Sequence, residues 1–387
     1  MNERPEQQVP SYIRAIAAYR PGKPIEEVER EMGITAVKLA SNENPLGPSP
    51  RAVRAANKAL ADANRYPDGS GLYLRSDLAE RLRIDKSNLI LGGGSTEIID
   101  LVAHTLLRAG LDGITSQGTF PIYSTCIQAT GARLIEVPLR DYVFDLEAIA
   151  DAVTLQTRVI YLANPNNPTG TMFNAKAFQA FLDRVPRTAL VVLDEAYFEY
   201  VDSPGYSRSV ELVREGRSLL VLRTFSKVYG LAGLRVGYGI GPATLLDELN
   251  KVRLPFNTSG VAQAAGIAAL TDRGHVRRSL ASNRAGLKQM ARGIAKFSGV
   301  RLIPSTANFV LIELGQDSEA FAERLQRLGV IVRSMTWFGF PQAIRVSVGT
   351  ARENIKFLRA MADLLTVPAQ AASRQAARRV QKRRPRK

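Results

Sequence analysis

Between about Asn88 and Leu249 short β-branched apolar runs alternate with helical patterns, and no other feature narrows the fold so far. The runs include Asn88–Leu91, Arg158–Ala163, Ala189–Leu193 and Ser218–Leu222, and helical stretches follow at Thr96–Leu107, Ala175–Arg184 and Pro242–Val252. A strand buried on both faces reads as a continuous apolar run, and strand–helix alternation implies right-handed crossovers. The expectation is an α/β fold with a large, doubly wound, mainly parallel sheet. Ligands of such sheets lie beyond the carboxyl ends of the strands, so chemistry is sought just after each run.

After Pro255 the rhythm changes. A long helical pattern covers roughly Gly260–Phe297, then strand-like Asn308–Leu314, a helix at Ser318–Leu328, strands at Val330–Arg333 and Ala343–Val348, and a helix at Arg352–Leu365. These read as a smaller α/β domain. The expected organisation is an N-terminal arm contributing to the small domain (1–45), a large domain (46–255), a small C-terminal domain (256–368) and a basic tail (369–387). The arm carries one amphipathic patch, Ile25–Met32.

A chain of 387 residues has room for two domains of on the order of 100–200 residues each. Net charge is +16, but Ala371–Lys387 holds eight basic residues and no acidic one, so the remaining chain carries +8. With Val380 as its only large apolar side chain, the tail cannot bury enough surface to offset ordering entropy. It reads either as a solvated appendage or as a contact for nucleic acid or another acidic surface. Cys126 is the single cysteine, which excludes an internal disulfide and suits a cytoplasmic location. One cysteine and two histidines are too few for a His/Cys metal site. No run suffices for a membrane helix, and the opening MNERPEQQVP lacks the apolar stretch of a secretory signal.

Four strand-end motifs carry chemistry. Leu91-Gly92-Gly93-Gly94-Ser95-Thr96-Glu97 sets three glycines between a strand and a helix, a cradle for an anion or a plain turn. Ala163-Asn164-Pro165-Asn166-Asn167-Pro168-Thr169-Gly170 is a loop whose prolines restrict φ and hold Asn167 in a fixed pose. In Val191-Val192-Leu193-Asp194-Glu195-Ala196-Tyr197 a carboxylate ends a buried strand, which requires a cationic partner unless Asp194 merely caps a helix. Finally, Thr224-Phe225-Ser226-Lys227 is followed by Arg235, so a lysine, two hydroxyls and a second cation share one strand end. Lysine is the side chain for Schiff-base chemistry because burial and nearby cations free its amine.

In this order and on one sheet, the four motifs resemble those of the fold-type I pyridoxal-phosphate enzymes, the class I/II aminotransferases. The resemblance covers nearly the whole chain except the basic tail. It implies pyridoxal 5′-phosphate as cofactor, bound by the large domain. Lys227 would hold it as a Schiff base and shuttle the proton between substrate Cα and cofactor C4′. Asp194 would pair with the pyridinium nitrogen, and Asn167 and Tyr197 with the ring oxygen. Phe120, in Gly118-Thr119-Phe120-Pro121-Ile122-Tyr123, would stack on the ring. Backbone at Gly94, Ser95 and Thr96, with Thr224, Ser226 and Arg235, would take the phosphate. Arg345, in Ile344-Arg345-Val346-Ser347-Val348-Gly349, would grip the substrate α-carboxylate by its bidentate fork.

Other stretches resemble the histidinol-phosphate aminotransferase family: Tyr19-Arg20-Pro21-Gly22-Lys23, Leu39-Ala40-Ser41-Asn42-Glu43-Asn44-Pro45-Leu46-Gly47, Arg65-Tyr66-Pro67-Asp68-Gly69, and Val332-Arg333-Ser334-Met335. That likeness implies a homodimer in which Tyr66 reaches the cofactor phosphate of the partner subunit, Arg333 meets a substrate phosphate and Tyr19 lies over the substrate. Arg333 as a solvated strand-end charge is the alternative. Two departures from the pattern are Ser334, where relatives often carry Pro, and Phe120-Pro121, which could displace the stacking ring. The implied reaction moves an amino group from glutamate to imidazole-acetol phosphate in histidine biosynthesis. Alternatives on the same scaffold are an aromatic amino-acid aminotransferase and a phospho-amino-acid decarboxylase. The completeness of the motifs argues against a nucleic-acid-binding regulator. His104 and His275 adjoin no motif and are not expected to act as bases.

Overall fold

The computed structural model describes residues 4–18 and 24–366, so Tyr19 and the basic tail lie outside the described residues. The strands are β1 (Val37–Lys38), β2 (Leu89–Gly92), β3 (Asp112–Ser116), β4 (Arg133–Val137), β5 (Thr157–Ala163), β6 (Leu190–Asp194), β7 (Leu219–Thr224) and β8 (Gly237–Ile240) in the first two-thirds. They continue with β9 (Arg301–Ile303), β10 (Phe309–Glu313), β11 (Val330–Ile331), β12 (Arg333–Met335) and β13 (Phe340–Ser347).

Seven strands form the large sheet in the order β2-β8-β7-β6-β5-β3-β4. Neighbours from β7 to β4 run parallel, whereas β8 is antiparallel to both β7 and β2. β2, β6 and β7 are buried at every position, as their continuous apolar runs require. The register sets Ala163 beside Asp194, and Thr224 and Gly92 each beside Gly237. Several motif-bearing strand ends are therefore level, and the loops after them open onto one edge of the sheet.

The second sheet, β12-β13-β10-β9, is antiparallel throughout, so the smaller unit is not built of parallel β–α–β repeats. Its core gathers Val310, Ile312, Phe321, Ile344, Phe357 and Met361. Val330–Arg333 divides between β11 and β12, because β11 leaves this sheet to pair with β1 of the arm. The amphipathic patch Ile25–Met32 is a helix ended by Gly33 at φ 65°, a left-handed stop that glycine adopts without strain. The expected helix over Gly260–Phe297 is two helices, Gly260–Thr271 and Arg273–Ile294. Asp272 divides them: its carboxylate accepts from the His275 amide (3.0 Å) and starts the second helix. Among the described residues no helix is long and apolar enough to cross a membrane.

Candidate active site

The strand-end loops close around a cavity of about 250 Å³ whose walls include Ser95, Thr96, Phe120, Asn167, Asp194, Tyr197, Thr224, Ser226, Lys227, Arg235, Arg333 and Arg345. Residues up to 305 positions apart in sequence, from Ala40 to Arg345, share this space. His104 and His275 do not line it: His104 pairs with Asp100 on its own helix, and His275 is buried against the Gly47 carbonyl at 3.1 Å. Tyr66 does not line it either; its side chain is 83% exposed and stacks on Phe256 at 4.7 Å between centroids.

At one end lies the glycine turn that starts the helix Ser95–Leu106. Gly94 has φ 82°, and a Cβ there would meet Arg235 Nη2 at 2.4 Å, so only glycine fits. Its amide donates to the Gly92 carbonyl (2.7 Å) and that of Gly93 to Glu97. Gly94 shapes the turn, while Ser95 and Thr96 carry amides that lack partners within the helix. Opposite them the Thr224 hydroxyl donates to Ser226 Oγ at 2.9 Å, and Arg235 reaches Ser226 Oγ at 3.4 Å and the Gly93 carbonyl at 3.3 Å. Ser226 Oγ thus accepts twice and keeps its own proton to donate. Helix amides, two hydroxyls and a guanidinium form a cradle of the right charge and polarity for a phosphate.

Asp194 is 6% exposed at the end of β6. Its carboxylate accepts from the Tyr123 hydroxyl (2.8 Å) and the Ala196 amide (3.1 Å). Burial outweighs these bonds and pushes its pKa up to about 6. This anion is held in place yet lacks a full counter-charge, which a protonated ring nitrogen would provide. Tyr123 is itself fixed by parallel stacking on Tyr161 (5.4 Å, 4°) and an edge contact with Phe120 (5.6 Å, 84°). Glu195 next door is fully buried and neutralised by Arg223 at 2.8 Å.

Lys227 Nζ sits 5.5 Å from the centre of the Tyr197 ring. Asn167 turns its side-chain oxygen to Arg345, which leaves its NH₂ as a donor. Its loop is pinned by Asn166, which donates to the Gly118 carbonyl (3.0 Å) and accepts from Thr119 (2.7 Å). Arg345 also donates to the Ala40 carbonyl (2.7 Å) and lies between the Phe309 and Phe338 rings, 5.5 and 5.8 Å from their centres. Arg333 is its cross-strand partner on β12. Facing residues of adjacent strands have side chains about 5 Å apart at Cβ, so two guanidinium groups enter one cavity side by side. After Arg333 the hydroxyls of Ser318, Ser334 and Thr336 cluster within 3.2 Å, which ties the strand exit at the departure noted for Ser334.

Sequence reasoning assigned no role to Tyr123, Asn42 or Phe338, although all three line the cavity. Tyr123 and Asn42 stand inside quoted motifs, and the aromatic run Thr336-Trp337-Phe338-Gly339-Phe340 before Arg345 was the available signal for Phe338.

The family model of aminotransferase class I and II matches residues 34–361. Histidinol-phosphate aminotransferase 1 of Thiobacillus denitrificans is 47% identical over 359 residues, covering 92% of this chain and 93% of its own length. Histidinol-phosphate aminotransferase 1 of Nitrosococcus oceani is 45% identical over 354 residues, 91% and 95% of the two chains. Among solved structures, histidinol-phosphate aminotransferase from Sinorhizobium meliloti in complex with pyridoxal-5′-phosphate matches with a TM-score of 0.85 at 29% identity, over 93% of this chain and 98% of that one.

Proposed function

The chain belongs to the class I and II aminotransferases, and from that premise we propose that it transfers an amino group from glutamate to imidazole-acetol phosphate with pyridoxal 5′-phosphate as cofactor. The products are 2-oxoglutarate and histidinol phosphate. When bound, the cofactor supplies an electron sink that makes the substrate Cα–H acidic. The residues present fit it: a turn only glycine can form at Gly94, a buried carboxylate at Asp194 and an amine at Lys227, the last two lining one cavity.

In this reading Lys227 anchors the cofactor and moves the proton at the substrate Cα. Asp194 keeps the ring nitrogen protonated, Asn167 and Tyr197 donate to the ring oxygen, and Phe120 covers the ring face. Ser95, Thr96, Thr224, Ser226 and Arg235 hold the phosphate. Tyr66 contributes from the partner subunit of a homodimer, which we place in the cytoplasm, where the single Cys126 stays reduced.

The observation that carries the substrate is the pairing of Arg333 with Arg345 across β12 and β13 in one cavity. Glutamate brings two carboxylates and no phosphate; imidazole-acetol phosphate brings a dianion and no carboxylate. A single anionic charge suffices for one guanidinium, whereas a dianion profits from both, each charge-assisted bond contributing roughly 1.5–3 kcal/mol. Arg333→Ala is expected to lower kcat/KM for the phosphorylated acceptor by about 10–150-fold. With phenylpyruvate, which offers Arg333 no second anion, the loss should be several times smaller. Steady-state kinetics on the two acceptors measure this, and equal losses would favour an aromatic amino-acid aminotransferase.

A further inference from the structure

Asn42 stands outside every role assigned above, yet it is 1% exposed, lines the cavity and holds φ at 55°, a left-handed conformation that asparagine tolerates better than most residues. Its groups are committed in one direction. The backbone amide donates to Ser347 Oγ (2.7 Å), and that hydroxyl donates back to Asn42 Oδ1 (3.0 Å). The carbonyl accepts from Asn308 Nδ2 at 2.9 Å. With its oxygen turned to Ser347, the carboxamide presents its NH₂ to the Tyr197 hydroxyl at 2.9 Å.

A phenol hydroxyl has one proton to give. Because the bond from Asn42 occupies an acceptor position, the tyrosine proton is not spent on Asn42. It stays available on the cavity side, where Lys227 and Asn167 lie. An oxygen acceptor in place of that NH₂ would draw the proton out of the cavity. Ser347, which fixes the carboxamide, follows Arg345 by two residues on β13, so both leave the same face of that strand.

We infer that Asn42 is a positioning residue: it orients the Tyr197 hydroxyl so that its proton is donated to the ring oxygen of the cofactor. This rests on the pyridoxal-phosphate reading above. Donation to that oxygen withdraws negative charge that would otherwise stabilise a protonated Schiff-base nitrogen on Lys227. It therefore lowers the pH at which the bound chromophore changes colour. The charged and titratable groups around Tyr197, namely Asp194, Tyr123, Tyr200, Lys227, Arg345 and Arg333, are unchanged in the variants that test this.

The experiment is a pH titration of the visible absorption of holoenzyme without substrate. Asn42→Gly keeps the left-handed backbone and removes the carboxamide. It should raise the midpoint by about 0.5–1 pH unit, the equivalent of one neutral hydrogen bond. Tyr197→Phe should raise it at least as far, and Asn42→Gly added to Tyr197→Phe should change nothing further. Ser347→Ala, which frees the carboxamide to turn over, should shift the midpoint in the same direction and serves if Asn42→Gly does not fold. An unchanged midpoint in both Asn42→Gly and Ser347→Ala, or an equal shift with and without the tyrosine hydroxyl, overturns the inference while leaving the cofactor reading intact. Wild-type protein with no pH-dependent colour at Lys227 overturns both.

Discussion

The Asp194 carboxylate is buried at the end of β6. Its ordinary value of 3.8 is pushed up to about 6, first by burial, against the bonds from Tyr123 and Ala196 and the nearby Lys227 charge. A carboxyl whose folded value is raised binds its proton more tightly when folded. Its contribution to stability is complete below the unfolded value near 4 and is lost as pH rises through about 6. At pH 7–8 the cofactor-free protein therefore carries Asp194 as a buried charge at a cost of up to about 3 kcal/mol, two units at ~1.4 kcal/mol each. Cofactor-free Asp194→Asn should accordingly unfold at a higher temperature than wild type at pH 8, and the gap should narrow below pH 6 and close near pH 4. Thermal unfolding at the two pH values decides it. In the holoenzyme the same substitution should cost on the order of 10²–10³-fold in kcat, because the ring nitrogen loses its partner. A wild-type rate with bound cofactor would place the ring elsewhere.

At the scale of elements, the glycine turn and the helix Ser95–Leu106 act as one device with β8. A Cβ on Gly94 would strike Arg235, and one on Gly237 would come within 2.6 Å of the Ser95 amide. Gly94→Ala should thus displace the guanidinium and weaken pyridoxal-phosphate binding by about tenfold or more, the equivalent of losing roughly 1.4 kcal/mol at one charge-assisted contact. Equilibrium titration of cofactor-free protein measures this, and an unchanged affinity would remove Arg235 from the phosphate site. The same close packing explains what could be read in the sequence. β5, β6 and β7 were legible because burial on both faces demands uninterrupted apolar side chains, and the chemistry-bearing residues follow directly at their ends. β8 was not, since Gly237 and Gly239 are required by neighbours at 2.6–3.0 Å and give no strand signal. The break at Asp272 was hidden for another reason. A capping carboxylate in a helical pattern looks like one more surface charge until its hydrogen bond is seen. Tyr123 and Asn42 escaped because their meaning lies in partners 71 and 155 positions away, which no local spacing encodes.

At the scale of the whole molecule, one exposed apolar surface among the described residues lies around Tyr66. Tyr66 (83% exposed), Tyr73 (72%), Leu254 (71%) and Phe256 (44%) leave large apolar side chains in water on segments next to the cavity-forming ones. Tyr66 rests on Phe256 rather than in its own cavity, so within one chain its hydroxyl has no part in the site. We propose that this face is covered by a second copy in a two-fold symmetric dimer, where Tyr66 of each chain completes the phosphate cradle of the other. Tyr66→Ala and Lys227→Ala homodimers should each be strongly impaired, for different reasons. When the two are mixed in equal amounts and allowed to exchange subunits, half the dimers are hybrids. Each hybrid holds one site with both residues altered and one with both intact, since the intact Lys227 comes with the tyrosine-substituted chain and the intact Tyr66 from its partner. Random exchange should then restore about a quarter of wild-type activity, a fraction fixed by the symmetry alone. Hybrid dimers demonstrated by differential tagging yet no more active than the parents would mean that each site is built within a single chain. The exposed aromatic face would then need another occupant.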